Sequence, residues 1–490
     1  MTGKTQTRIS ASRLRDFLLC PHRVYLDEFG DDSLRDPESE FEKLLWEQGM
    51  LHEERALAEL NLSVAEIRGK DFNECERETR GLMLGGEELI YQGCLSTDSL
   101  AGKPDLLEKT DGESNLGPYH YVPIEMKSGS AYADEESKRL KQDYVLQLSL
   151  YADMLEKVQG ARPKIGKIID KDFEVVTVEL EEFRAAYDEC LEDIQGLLSG
   201  KTTSDPCIAS LCKQCHWWTV CFNWARERED VSLIYRVNRP KRDALRRNGV
   251  ETIKELAALE KKSALPVVEG ISPRALRQFI RRASVVLKGK PVLHSPVEFP
   301  KANLELFFDI ETDPLEDVCY LYGIVERTAS GSRYVSFFAD SLEGEKKAWN
   351  EFWEYVSGLA DFQVYHYSAY EKTFLRRLNE RYGCDKKLFE SFLERCIDLF
   401  YGAVDRCTDW PSHSYSIKLV SKCLGFKYSE AEPGGIKAAL WYRDYLKDPK
   451  GNLALKDEII KYNREDCEAM ILLKDWLERT NQEIFGTKQK

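Results

Sequence analysis

The 490-residue chain has no run of about 18 apolar residues, so we expect no membrane-spanning helix and no membrane partner. Its first twenty residues have neither a long apolar stretch nor a small-residue cleavage site, which predicts no secretory signal. No GxxxxGK[ST] phosphate loop occurs, so we expect no nucleotide-driven motor within the chain. The absence of a membrane-spanning helix and of a secretory signal predicts a cytoplasmic protein.

The fourteen cysteines are too few and too scattered for a disulfide scaffold at this length. We therefore expect them to be reduced, with the clustered ones binding metal. A net charge of −15 argues against a protein coated for DNA. Nucleic acid stays possible as a ligand, because binding needs only a local basic face and acidic metal sites add negative charge.

Three domains are expected from the length, at about 150 residues each. An acid-lined group of residues occupies 1–225, a basic segment occupies 226–300, and a second acidic group occupies 301–490. We take these ranges as the predicted domains.

The first group lies at the ends of predicted strands. Asp105 lies at the start of one strand. Glu125 and Lys127 are two residues apart on the next strand, so both of these side chains point to one face. Two carboxylates on adjacent strands can hold a divalent cation, and a nearby lysine can orient a water. His52, on a preceding helix, could add a ligand. Taken singly, Glu-x-Lys is more often a surface ion pair.

A helix after these strands carries Gln147 and Tyr151, which are four residues apart and share a face. Such a pair is common by itself. The order is informative: G-x-x-H-E, then G-x-P-D, then about twenty residues, E-x-K and Q-x-x-x-Y.

In this order the chain resembles the RecB-like branch of the PD-(D/E)xK nucleases, in particular the branch with a four-cysteine iron–sulfur cluster that includes CRISPR-associated exonucleases. The resemblance spans roughly residues 8 to 225. It implies that His52, Asp105 and Glu125 bind the catalytic metal and that Lys127 is the catalytic lysine. Gln147 and Tyr151 would be the helix motif that supports the site and the DNA.

The same resemblance assigns a 4Fe-4S cluster to one early cysteine, Cys20, and to the C-x2-C-x5-C run of Cys212, Cys215 and Cys221. Closing so long a loop with a metal would couple binding to folding. A rival set is open, in which Cys207 replaces Cys20 and the four form a local zinc site. We favour Cys20, because its Cys-Pro-x-x-x-Tyr context matches the family.

Between residues 235 and 291 the charge is mainly positive. Helical patterns flank Val268-Glu269-Gly270-Ile271-Ser272-Pro273, which resembles a helix-hairpin-helix element whose backbone amides grip a phosphate. Ser272 stands where a second glycine is usual. The alternative is a small helical linker domain with a solvated basic face.

The C-terminal group begins with an apolar strand that ends in Asp309-Ile310-Glu311, so two carboxylates share a face. Tyr462 and Asp466 are four apart on a late amphipathic helix. The element order β-β-β-α-β-α between them suits an RNase H-like fold with a mixed sheet.

This pattern resembles the tyrosine-bearing DEDD exonucleases over residues 303–478, and more narrowly the RNase H-like domain that some microbial proteins fuse to RecB-like nucleases. The resemblance implies metal ligation by Asp309, Glu311 and Asp466, with Tyr462 orienting the attacking water. The second motif departs from the family: Glu371 stands near the place of its usual aspartate. Asp398 is a possible substitute, although a structural acid is the simpler interpretation.

We therefore predict a multidomain α/β protein with a restriction-endonuclease-like core, an iron–sulfur clasp, a small helical linker domain and an RNase H-like domain. Its predicted function is Mg²⁺- or Mn²⁺-dependent hydrolysis of DNA, at single-stranded ends, by two active sites, the C-terminal one a 3′-to-5′ exonuclease. A helicase or another repair or defence protein would be a partner. The alternatives are an RNA-directed exonuclease that uses only the C-terminal domain, and a non-catalytic nucleic-acid-binding scaffold.

Overall fold

The computed structural model describes residues 8–37, 40–134, 136–429 and 434–486. The helices are α1 (Ala11–Leu19), α2 (Pro21–Phe29), α3 (Glu40–Glu59), α4 (Phe72–Gly85), α5 (Gln142–Gln159), α6 (Arg184–Leu198), α7 (Trp218–Glu227), α8 (Arg239–Arg247), α9 (Ile253–Ala258), α10 (Pro273–Lys288), α11 (Glu345–Ser357), α12 (Tyr370–Tyr382), α13 (Lys386–Glu394), α14 (Asp405–Cys407), α15 (Ile417–Cys423), α16 (Gly435–Lys447) and α17 (Leu453–Phe485).

The strands are β1 (Ile9–Ser10), β2 (Ala65–Glu66), β3 (Leu89–Tyr91), β4 (Leu95–Ser96), β5 (Leu100–Gly102), β6 (Leu106–Ser114), β7 (Gly117–Met126), β8 (Tyr132–Asp134), β9 (Arg139–Leu140), β10 (Ile165–Ile169), β11 (Val175–Glu179), β12 (Val292–Leu293), β13 (Leu304–Asp313), β14 (Val318–Thr328), β15 (Gly331–Phe338), β16 (Phe362–His366), β17 (Cys396–Asp398) and β18 (Thr408–Asp409). None of the helices in the described ranges has the length and apolar character to cross a membrane.

The chain divides into two compact units. The first contains residues 1–206 and 211–221, and the second contains residues 207–210 and 222–490. The basic segment and the C-terminal region thus pack as one unit. The predicted boundary at residue 300 stays a prediction.

The first unit is built on a six-stranded mixed sheet in the order β11-β10-β7-β6-β3-β2. Its central hairpin pairs Leu106 with Ile124, which places the start of β6 beside the end of β7. Helix α5 buries an almost wholly apolar face, including Leu146 and Leu150, in the core on this sheet. The start of β6 and the end of β7 therefore lie side by side in the middle of the sheet, next to helix α5.

Two aspartates form hydrogen bonds with the cysteine-rich segment 207–221: Asp27 on α2, and Asp36 between α2 and α3. Asp27 on α2 accepts hydrogen bonds from the ring of His216 (2.7 Å) and from Trp217 Nε1 (2.9 Å). Asp36 accepts from the backbone of Thr219 at 2.8 Å. The bonds to Asp27 are partly buried, so they help to hold the run against α2.

The basic segment folds into helices α8, α9 and α10 around their own apolar core. Gly270 adopts a left-handed φ of 76° in the turn before α10, and the Ser272 side chain caps that helix by accepting from the Ala275 amide. Arg242 and Arg282 do not belong to a solvated basic face. Both are 1 % exposed and pair with buried aspartates, Arg242 with Asp230 and Arg282 with Asp409.

The rest of the second unit surrounds a five-stranded sheet in the order β15-β14-β13-β16-β17. The first two pairings are antiparallel and the last two are parallel. The predicted order of three strands, a helix, a strand and a helix is confirmed by β13 to α12. The long helix α17 packs against β13 and β14 at the middle of this sheet.

The α/β fold class with mixed sheets is confirmed. The segment from Glu88 to Leu95 does not form one strand: β3 ends at Tyr91, and Leu95 begins β4 in a second small sheet. A left-handed φ of 54° at Gln92 breaks the strand between them.

Candidate active sites

Three carboxylates of the second unit converge on one point. Asp309 and Glu311 extend from the same face of β13, and Asp466 faces them from α17. One oxygen of each lies within 4.8 Å of the others, a spacing that could hold a metal ion. In the described ranges, this is the one such group with three or more His, Cys, Asp or Glu side chains. A break in the register of β13 and β14 follows directly after Glu311, as is common beside active sites.

The electrostatics of this group favour a bound cation. Burial, together with the charges of Glu311 and Asp466, raises the pKa of Asp309 well above its usual range. Burial and the charge of Asp466 raise the pKa of Glu311 to about 8. Buried carboxylates this close must either keep protons or share a cation, and oxygen ligands of this kind suit Mg²⁺ or Mn²⁺.

An asparagine orients two of these carboxylates. The Asn463 amide donates to Asp309 Oδ2 at 2.8 Å and to Glu311 Oε1 at 3.4 Å. Its oxygen accepts from the hydroxyl of Tyr334 at 2.9 Å, which fixes the direction of the amide. Gly323, directly opposite Asp309 on β14, leaves the space for it: a Cβ at 323 would lie 1.6 Å from Asn463 Oδ1.

Tyr462 also faces the group. Burial and the neighbouring carboxylates raise the pKa of its hydroxyl, so it keeps its proton. Lys418 on α15 donates a hydrogen bond to the Tyr462 oxygen, and its Nζ lies 3.7 Å from Asp466 Oδ2. Tyr428 donates to the other oxygen of Asp466 at 2.9 Å.

Glu371 lies outside the three-carboxylate group. Its carboxylate is 3.4 Å from Nδ1 of His366, and both side chains are buried. Its charge still contributes to the raised pKa of Asp309. Asp398 has a structural role, because its Oδ1 accepts from the backbone amides of Ser368, Phe400 and Tyr401. Ser368 itself has a left-handed φ of 100°, directly before α12.

A cleft of about 280 Å³ opens onto the group. Besides Asp309, Glu311, Tyr462 and Asp466 it is lined by Tyr370, whose hydroxyl is 2.7 Å from Thr312 Oγ1 and whose surface is 47 % exposed. The half-exposed ring offers an apolar face beside the carboxylates.

The second candidate site lies in the first unit, where β6 and β7 meet. Glu125 is 1 % exposed, and Lys127 donates a hydrogen bond to its Oε2. Asp105 Oδ2 accepts from the Met126 backbone at 2.6 Å. Burial and the charge of Glu125 raise the pKa of Asp105. Burial alone would lower the pKa of Lys127, but Glu125 and Asp105 raise it, so the lysine stays charged.

Helix α5 completes this site. Gln147 accepts from Lys127 Nζ at 3.1 Å and donates to the Tyr151 hydroxyl at 3.0 Å. Tyr151 in turn donates to the Lys103 carbonyl at 3.3 Å. The glycine of G-x-P-D has a packing reason: a Cβ at Gly102 would lie 2.6 Å from the Tyr151 ring. The spacing of Q-x-x-x-Y thus allows a chain of hydrogen bonds from Lys127 through Gln147 and Tyr151 to the loop between β5 and β6.

His52, the third predicted ligand of this site, lies on α3, which packs against β7. Its ring stacks on Phe173 at 5.3 Å and is hydrogen-bonded by the Asp170 backbone, while its Nε2 is buried with no hydrogen-bond partner. Burial lowers the pKa of His52. Glu125 Oε1 is likewise buried without a partner. The imidazole is thus fixed through one nitrogen and one oxygen of Glu125 is left open, but His52, Asp105 and Glu125 do not form a group with ligand atoms within 4.8 Å of one another.

The cysteines of interest separate into two sets. Cys20, Cys212, Cys215 and Cys221 all belong to the first unit, whereas Cys207 belongs to the second. Burial raises the pKa of the Cys215 thiol to about 11, and the charges of Cys20 and Cys212 add to that rise. Cys207 is buried near Arg239 and Arg242 instead. Cys215 therefore lies near Cys20 and Cys212 within the first unit.

Four contributors were not found from the sequence: Asn463, Lys418, Tyr428 and Glu53. Asn463 could have been noticed, since it is three residues before Asp466 on α17 and so shares its face. Glu53, beside His52, accepts from Tyr91 at 3.0 Å and from Gln92 at 2.8 Å. Lys418 and Tyr428 carry no local signal, because only tertiary packing brings them to α17.

Each candidate site lies within a region of the chain that matches a known family. Residues 25–222 match the family model of the PD-(D/E)XK nuclease superfamily, and residues 306–478 match that of the RNase H superfamily. A search of curated proteins gives no match. Both superfamilies consist of nucleases that hydrolyse phosphodiester bonds with divalent metals.

Proposed function

We propose that both nuclease regions of the chain carry working active sites. The chain joins a PD-(D/E)XK nuclease region to an RNase H region, and so is a metal-dependent nuclease. The substrate is DNA with single-stranded ends. The observation that carries the C-terminal site is the group of Asp309, Glu311 and Asp466, with one oxygen of each within 4.8 Å of the others.

In the C-terminal site, divalent ions would lower the pKa of water and neutralise the charge that develops on the phosphate. Asp309, Glu311 and Asp466 would hold these ions, and the charge of Glu371 acts on Asp309. Tyr462 would orient the attacking water through its hydroxyl. A cleft of about 280 Å³ is at the small end of ligand pockets and suits one nucleotide at a strand end rather than a duplex. Removal from the 3′ end is the expected polarity.

In the N-terminal site, His52, Asp105 and Glu125 would hold the ion. Lys127, already charged and held by Gln147, would orient the water or stabilise the phosphate. Tyr151 would position Gln147. The basic segment would contact the phosphate backbone through exposed residues such as Arg274 and Arg277.

The test uses the wild type, Lys127→Ala, Asp309→Ala and the double variant. Single-stranded DNA and RNA, labelled at either end, are incubated with Mg²⁺ or Mn²⁺. We expect Lys127→Ala to slow cleavage by the N-terminal site and Asp309→Ala to slow cleavage by the C-terminal site, each by about 100-fold or more. The double variant should lose both activities. Unchanged cleavage in the double variant would refute both sites. Cleavage of RNA alone, abolished by Asp309→Ala, would leave only the C-terminal site.

We also propose that Cys20, Cys212, Cys215 and Cys221 hold a 4Fe-4S cluster. Protein purified without oxygen should be brown and contain iron and acid-labile sulfide. Cys20→Ala should remove the colour, whereas Cys207→Ala should keep it. A colourless protein that contains zinc would refute the cluster, and loss of metal in Cys207→Ala would favour the local zinc site.

A further inference from the structure

Lys418 is a cation in direct contact with the C-terminal group, through Tyr462 and Asp466. Its side chain is 21 % exposed, and its Nζ lies 4.3 Å from the centre of the Tyr462 ring. It sits on α15, 44 residues before Tyr462 in the chain. The contact is therefore made by the packing of α15 on α17.

The direction of the hydrogen bond matters. A lysine ammonium can only donate, so the Tyr462 oxygen must be the acceptor. With that side of the oxygen occupied, the hydrogen of the Tyr462 hydroxyl has to point elsewhere. Its other neighbour is Asp466, which forms a hydrogen bond with it. Lys418 therefore turns the Tyr462 hydroxyl toward the carboxylate group.

Lys418 is also poorly placed to be a metal ligand or a substitute for one. An ammonium has no lone pair to offer, and at 3.7 Å from Asp466 Oδ2 its charge opposes that of a cation bound by the same carboxylate. Any benefit of keeping this lysine must come from a different step than ion binding. The hydroxyl of Tyr462 is the other group that it contacts.

We propose that Lys418 is a positioning residue for the C-terminal reaction: it holds the hydroxyl of Tyr462 toward the carboxylate group, beside which the attacking water would lie. The inference rests on the proposed function of the C-terminal site. Lys418 acts through Tyr462, and metal binding does not depend on it.

The first experiment compares Lys418→Met, Lys418→Arg and Lys422→Met in a Lys127→Ala background, so that only the C-terminal site cleaves. Lys422 is one turn further along α15 and exposed, which makes it the matched control. We expect Lys418→Met to lower kcat by about 10- to 100-fold with little change in KM. Lys418→Arg should restore part of this loss, and Lys422→Met should behave as the parent.

The second experiment measures Mn²⁺ binding by calorimetry in the same variants. We expect Lys418→Met to bind Mn²⁺ as tightly as the parent, or more tightly, because a positive charge near Asp466 has been removed. If metal affinity and kcat fell together, Lys418 would be supporting the carboxylates and the inference would be wrong. An unchanged kcat in Lys418→Met would also overturn it.

The third experiment does not need activity. The ¹³C signal of the Tyr462 ring, identified by its loss in Tyr462→Phe, is recorded in protein without metal. We expect this signal to shift or broaden in Lys418→Met and to stay unchanged in Lys422→Met. An unmoved signal would overturn the inference. If instead Asp309→Ala left cleavage unchanged while the signal moved, the proposed function would fail and the positioning contact would stand.

Discussion

The two candidate sites face the same problem, buried carboxylates, and meet it differently. In the N-terminal site the cation comes from within: Lys127 is two residues from Glu125 and hydrogen-bonded to it. In the C-terminal site three carboxylates share a single lysine, Lys418, which contacts Tyr462 and Asp466. One cation does not offset three carboxylates, and the pKa values of Asp309 and Glu311 are raised. Glu125 thus has a counter-charge of its own, whereas the C-terminal group lacks positive charge that protons or a metal ion can supply.

Breaking the internal ion pair should give the largest effect on stability. Lys127→Met leaves Glu125 buried without a cation, which costs about 3–5 kcal/mol for a buried pair. Hydrogen exchange in peptides from β6 and β7 should speed up accordingly. The control is Lys167→Met, whose partner Glu108 is partly exposed, and which should cost less than about 1 kcal/mol. Equal effects of the two variants would show that the buried Glu125–Lys127 pair contributes no more to stability than a partly exposed pair.

Metal and pH should act on the C-terminal site through Glu311. The pKa of Glu311 is about 8 in the fold against 4.5 for a free side chain, so the folded state binds more protons between these values. Its contribution to stability is therefore complete below pH 4.5 and is lost as the pH rises through 8.

A bound cation replaces those protons, so it should stabilise the protein more at pH 8 than at pH 6. The gain is about 2.7 kcal/mol when Mg²⁺ is at 100 times its Kd. Thermal unfolding in EDTA and in Mg²⁺, at both pH values, measures this difference. Glu311→Gln should reduce it. A Mg²⁺ effect that is the same at both pH values would contradict the proton balance.

The smallest effect on stability is expected from a single methyl group at Gly323. Its Cβ would displace Asn463, so Gly323→Ala should cost about 1–3 kcal/mol. Because Asn463 orients Asp309 and Glu311, Mg²⁺ affinity should fall by about 10- to 100-fold. Gly402→Ala is the control, since a Cβ there meets no atom within 4 Å. Normal Mg²⁺ affinity in Gly323→Ala would show that the asparagine has no orienting role.

Short-range patterns explain what the sequence could predict. The faces shared by Asp309 with Glu311, and by Tyr462 with Asp466, follow from strand and helix periodicity alone. The same holds for Glu125 with Lys127 and for Gln147 with Tyr151. The order of elements from β13 to α12 was also readable, because each is long and strongly patterned.

The sequence by itself therefore determined the two nuclease-like regions and which acidic residues of each share a face. Tertiary structure alone decided which side chains offset and orient the carboxylates of the C-terminal group. Lys418 reaches Tyr462 from another helix, and Asn463 fits only because Gly323 on a neighbouring strand has no side chain. Such contacts depend on which surfaces pack together, and periodicity along one element has no information about the partner that covers it.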